Sequence, residues 1–62
     1  MEPSTYTSPD TRREYIVVPH LHFSKHGFEH CSYDVYLENR KVAECQLTSE
    51  IPFTVSRFEN SN

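Results

Sequence analysis

The chain of 62 residues predicts an all-β fold of about four antiparallel strands in a meander, curled as a small partial barrel or stacked as a homodimer. Three observations carry this. Apolar residues fall on odd positions at Tyr15, Val17, Leu21 and Phe23, and resume after Gly27 at Cys31, Tyr33, Val35 and Leu37, which is the period of two that a half-buried strand requires. β-Branched and aromatic residues dominate both runs, as pleated surfaces prefer. Pro19 and Pro52 fall in the first and last expected strands, the two edges of a meander, where a missing N–H is tolerated.

Taken in order, residues 1–12 hold two of the four prolines with Ser, Thr and Asp and almost nothing apolar except Tyr6, so a flexible arm is expected. A single β domain then spans 13–58, and residues 59–62 read as a frayed tail. The first strand runs from Arg13 to Ser24. Ser24 to Phe28 fit a three-residue hairpin loop, a type I turn closed by Gly27 in a left-handed conformation. That turn places Leu21 opposite Cys31, Val17 opposite Val35 and Tyr15 opposite Leu37, so apolar meets apolar.

Ala43, Cys45 and Leu47 extend the odd face in a third strand. Matching the faces there needs a loop of odd length or a bulge, because a tight Asn39-Arg40 turn would set Val35 against Glu44. The alternative is an α+β chain with a short helix near 39–48, Asn39 capping a run of good helix formers. Ile51, Phe53 and Val55 complete the face in a fourth strand. Such a sheet carries an apolar side on the order of 400 to 500 Å², more than a monomer leaves bare. The chain must curl, stack on a copy of itself, or be covered by another protein.

Composition narrows the function classes. Six Lys and Arg against nine Asp and Glu give a formal net charge of -3, with the cations scattered, so no phosphate-tracking stripe exists and no nucleic-acid partner is expected. No apolar run is long enough to span a bilayer, and residues 1–14 lack the pattern of a secretory signal, so no membrane partner and a soluble, cytoplasmic protein are the expectation. Cys31 and Cys45 lie too far apart in the expected register for a disulfide and read as free thiols. A single glycine excludes a Gly-rich phosphate loop, and adjacent strand residues such as His30 and Cys31 face opposite sides, so no catalytic dyad forms. The protein is not expected to be an enzyme.

Two groups remain as site candidates. The predicted register sets His22 across from His30 with His20 two residues along on the same face, the layout of a three-histidine zinc centre, although the cysteines point the other way and only Asp34 or Glu29 stands ready to orient a ligand. His20, His22 and His30 are therefore the candidate metal ligands, zinc being the alternative to no cofactor. Ile16, Val18, Tyr36, Val42 and Phe58 fall on the nominally polar face, and exposed residues of these types mark binding surfaces. The expected function is a small non-enzymatic protein-binding module of inhibitor, adaptor or modulator type, such as phages and mobile elements carry, using its sheet face or edge on a partner protein and, as a homodimer, on itself. The competing class is a small metal-binding domain.

Overall fold

In the computed structural model, which describes residues 2–61, four antiparallel strands form one open sheet with a C-terminal helix. The strands β1 (Ser4–Thr7), β2 (Glu14–Ser24), β3 (Gly27–Leu37) and β4 (Arg40–Cys45) lie side by side in chain order. A single 3₁₀ turn, Thr48–Glu50, leads into α1, Ile51–Asn60. The fold is thus mostly β with one helix, and its four strands differ from those read in the sequence at both ends.

The central hairpin follows the expected register. Val17 stands opposite Val35, Leu21 opposite Cys31 and His22 opposite His30. Near the tip a bulge at Glu29 moves the pairing by one residue, so that Phe23 faces Phe28 and Lys25-His26 form the turn. Gly27 follows with φ of 113°, a conformation that side chains with a Cβ rarely adopt.

Between β3 and β4 the conflict over register is resolved by a bulge. Glu38 and Asn39 make a two-residue turn, both with φ in the left-handed region (52° and 67°), as a type I′ hairpin requires. Tyr36 pairs with Lys41, then Val42 is skipped and Val35 pairs with Ala43. Skipping one residue returns Ala43 and Cys45 to the apolar side. The alternative of a helix over 39–48 is therefore corrected: β4 occupies most of that stretch.

The helix forms one segment later, where a strand over Ile51, Phe53 and Val55 was expected. Ile51, Val55 and Phe58 recur at four and three residues, the helical period. Pro52 lies in the first helical turn, where its absent N–H has no intrahelical partner to lose. Glu50 Oε1 accepts the backbone N–H groups of Gln46 (3.1 Å) and Leu47 (3.0 Å), which swings the chain off the end of β4. The helix then lies on the odd face, burying Ile51 and Val55 against Tyr15, Val17, Val35 and Cys45, while Phe58 packs edge-on to Tyr15 with centroids 6.3 Å apart.

Residues within both terminal stretches pair with the rest of the fold. Ser4–Thr7, inside the expected arm of residues 1–12, pairs with Glu14–Val17, and Tyr6 packs against the core. Glu59, in the expected frayed tail of residues 59–62, is the hub that fixes the helix. Its carboxylate accepts hydrogen bonds from Ser8 Oγ (2.8 Å), Tyr15 OH (2.7 Å) and Thr11 Oγ1. Met1 and Asn62 lie outside the described residues of those two stretches.

The Thr11 hydroxyl, with those of Tyr15 and Ser8, holds the Glu59 carboxyl below the usual value near 4.5, while burial pushes the Tyr15 phenol up. A carboxyl held low stays ionised in the fold where the unfolded chain has begun to take up protons. Its stabilisation is complete above the unfolded value and is lost as pH falls through the folded one. Glu59→Gln is therefore expected to melt several degrees below the native protein at pH 7. The gap narrows as pH drops from about 5 towards 3, as melting curves at stepped pH will show. In the β3–β4 turn, Glu38 is a poor residue for its left-handed position (φ 52°), where Asn is several-fold enriched. Glu38→Asn is expected to stabilise by about 0.5 kcal/mol, raising the melting temperature by roughly 2 to 4 °C.

Candidate functional site

β2 and β3 are each eleven residues long, but β1 ends opposite Val17 and β4 ends opposite Tyr33. Beyond those points the hairpin continues alone as a two-stranded ribbon, and the molecule extends to 41 × 20 × 19 Å. The helix covers the odd face only over the body. On the ribbon the same face shows Leu21 at 40%, Phe23 at 65% and Phe28 at 59% exposure, with Cys31 and Tyr33 half-buried behind them. Phe23 and Phe28 stack edge-to-face, centroids 5.9 Å apart, at the far end. No side chain on this strip carries a charge.

The opposite face of the ribbon carries the histidines. His20 and His22 have ring centroids 4.5 Å apart, and His22 and His30 stack at 4.3 Å with planes 15° from parallel. His22 Nε2 lies 2.8 Å from Ser32 Oγ, and Ser32 is buried beneath the rings. His20 Nδ1 is 3.8 Å from Asp34 Oδ2, and Lys41 Nζ bridges Asp34 Oδ1 (3.3 Å) and Glu44 Oε1 (2.8 Å). That lysine sits between two carboxylates paired across β3 and β4, which holds the Glu44 carboxyl below its ordinary value.

The sequence thus foresaw the histidine patch, and the structure brings His20, His22 and His30 together. Their arrangement is a ladder in which His22 and His30 lie face to face and His20 is tilted 33° from His22. Imidazole lone pairs lie in the ring plane, so the lone pairs of near-parallel stacked rings run side by side and do not converge. Among the described residues no group of three or more His, Cys, Asp or Glu is arranged to hold a metal ion. Asp34 is the carboxylate beside the ladder, whereas Glu29 occupies the bulge near the tip.

The five expected partner-binding residues divide. Ile16, exposed, stands opposite Tyr36, with Val18 next along the same face, so these three form one patch beside the histidines. Val42 and Phe58 do not share it. The bulge turns Val42 towards the core, and Phe58, carried by the helix, packs against Tyr15. Both instead line a cavity of about 200 Å³ with Leu37, Glu38 and Arg40 at the side of the helix. A second cleft of about 230 Å³ opens on the other side, between Tyr6, Pro9 and Asp10 and the helix residues Pro52 and Phe53.

Both cysteines are free, as expected. Burial pushes the Cys45 thiol above its ordinary value, which suits a small apolar group and not a nucleophile. The bare strip of Leu21, Phe23 and Phe28 is the surface that sequence reasoning did not single out. Its signal was present as an apolar face longer than anything in the chain that covers it.

Among the described residues no helix is long and apolar enough to cross a membrane. The fold and surface define the chain as a small antiparallel sheet with one helix and a projecting, half-apolar hairpin. Comparison with known proteins finds no matching family model, no matching curated protein and no matching solved structure.

The ring geometry makes a direct prediction. Added zinc, or EDTA, is expected to leave the melting temperature unchanged. A saturable zinc-dependent rise abolished in His22→Asn would show that the rings reorient to a common ion, since a ligand that binds only the folded state must stabilise it.

Proposed function

We propose that the protein is a binding module without chemistry of its own, and that the bare face of the β2–β3 ribbon is its contact surface for protein. The observation that carries the reading is the exposure of Phe23, Phe28 and Leu21 on one uncharged face, projected clear of the folded body. The two solvent-exposed phenylalanines at the hairpin tip pack edge-to-face on each other and leave most of their surface uncovered. They stabilise an association, since each carries on the order of 150 to 250 Å² of apolar surface and desolvated aromatic anchors dominate interface energies. The charges lie elsewhere: Lys41, Asp34 and Glu44 on the opposite face, Lys25 at the turn and Glu29 at the bulge.

The patch of Ile16, Val18 and Tyr36 on the opposite face, beside the histidine ladder, supports a secondary contact from the same partner wrapping the ribbon.

The double substitution Phe23→Ser/Phe28→Ser tests the assignment, because both side chains lie outside the core. Native protein and variant, immobilised at low concentration, are each exposed to lysate of the source cells, and any retained protein is identified and purified. Its affinity for the native chain is expected to fall at least tenfold, about 1.4 kcal/mol, in the variant, with an unchanged circular dichroism spectrum. Equal affinity for the two forms would remove the ribbon from the interface.

A further inference from the structure

We infer that the bare ribbon face is matched to a second copy of the same face, so that two chains associate about a two-fold axis with their ribbons stacked. This rests on the reading of the ribbon as a protein contact and names its occupant. The first ground is the step in thickness along the molecule. Over the body the odd face is covered by α1, one layer above the sheet; over the ribbon that layer is empty. Stacked sheets lie about 10 Å apart. A second ribbon fits the layer that the helix leaves open over the ribbon. A two-fold axis near Leu21 and Cys31, which are paired across the hairpin, brings the phenylalanine tip of each ribbon to the start of the other chain's helix. The exposed Leu47 lies there, two residues past the end of β4.

The second ground is that the ribbon's edges are obstructed while its face is not. The open edge of β2 contains Pro19, which offers no N–H, and the open edge of β3 is broken by the bulge at Glu29. Both features are devices that discourage strand addition along an edge. The face has no such obstacle: Pro19, Leu21, Phe23, Phe28, Cys31 and Tyr33 present no charge that stacking would bury. An interface about a two-fold axis must be complementary to itself, and an uncharged apolar strip has no like charges to oppose across such an axis.

Area sets the strength. The exposed fractions of Phe23, Phe28 and Leu21, with the partial exposure behind them, amount to about 400 Å² per chain, or about 800 to 1,000 Å² for the pair with Leu47 included. A standard stable interface buries about 1,600 Å². The dimer is accordingly a weak, reversible one that exchanges with monomer and leaves the face available to another protein on dilution.

Light scattering over a concentration range from about 10 µM to 1 mM is the test. The mass of the native chain is expected to rise from that of one 7.3 kDa chain towards twice that value, while Phe23→Ser/Phe28→Ser and, separately, Leu21→Lys remain monomeric with native circular dichroism. A short bis-maleimide is expected to join two chains through Cys31, half-exposed on the strip, and to fail with Cys31→Ser. A native chain that stays monomeric throughout, a dimer unaffected by either variant, or open-ended growth beyond the dimer would each overturn the inference. The first of those results leaves the ribbon as a contact for a foreign protein, which the affinity comparison at low concentration decides separately.

Discussion

A mismatch of lengths governs this molecule. The helix has ten residues, about 15 Å at 1.5 Å per residue, and it must cover the apolar side of a hairpin whose strands have eleven residues each, about 36 Å at 3.3 Å per residue. It covers the half over Tyr15, Val17 and Val35 and stops. The core, the projecting ribbon and the exposed phenylalanines all follow from that shortfall. Among the described residues no other helix extends the cover.

The covered half is held as much by polar contacts at its margin as by apolar burial. Glu59 ties the last turn of the helix to the loop between β1 and β2 through Ser8 and Thr11, and to the core through Tyr15. At the other end of the helix Glu50 ties its start to the end of β4. These two carboxylates fix the position of a helix that has few apolar contacts to spare. Small domains that lack disulfides need such anchoring.

The two faces of the ribbon divide its work. The odd face is uncharged and apolar. The even face stacks three imidazoles over a buried serine and adds the Asp34, Lys41 and Glu44 network towards the body. That side carries most of the ribbon's polar groups, with Ile16, Val18 and Tyr36 beside them.

The sequence by itself determined the hairpin, its register and the pairing of His22 with His30, because period-two alternation and a glycine turn act between neighbouring segments. It also required either a loop of odd length or a bulge between β3 and β4, since one residue of slip reverses every side chain; the structure has the bulge. In the sequence Ile51, Phe53 and Val55 read as a fourth strand, and that reading is wrong, because the apolar residues there satisfy both periods and the segment is helical. Only tertiary structure settled that, by giving Ile51, Val55 and Phe58 a sheet face to cover and Pro52 a helical first turn. The roles of Tyr6, Ser8 and Glu59 were likewise invisible, because their partners lie at the opposite end of the chain and contacts between distant segments leave no local pattern. Val42 and Phe58 joined the core for the same reason: one was turned inward by the bulge and the other was carried in by the helix.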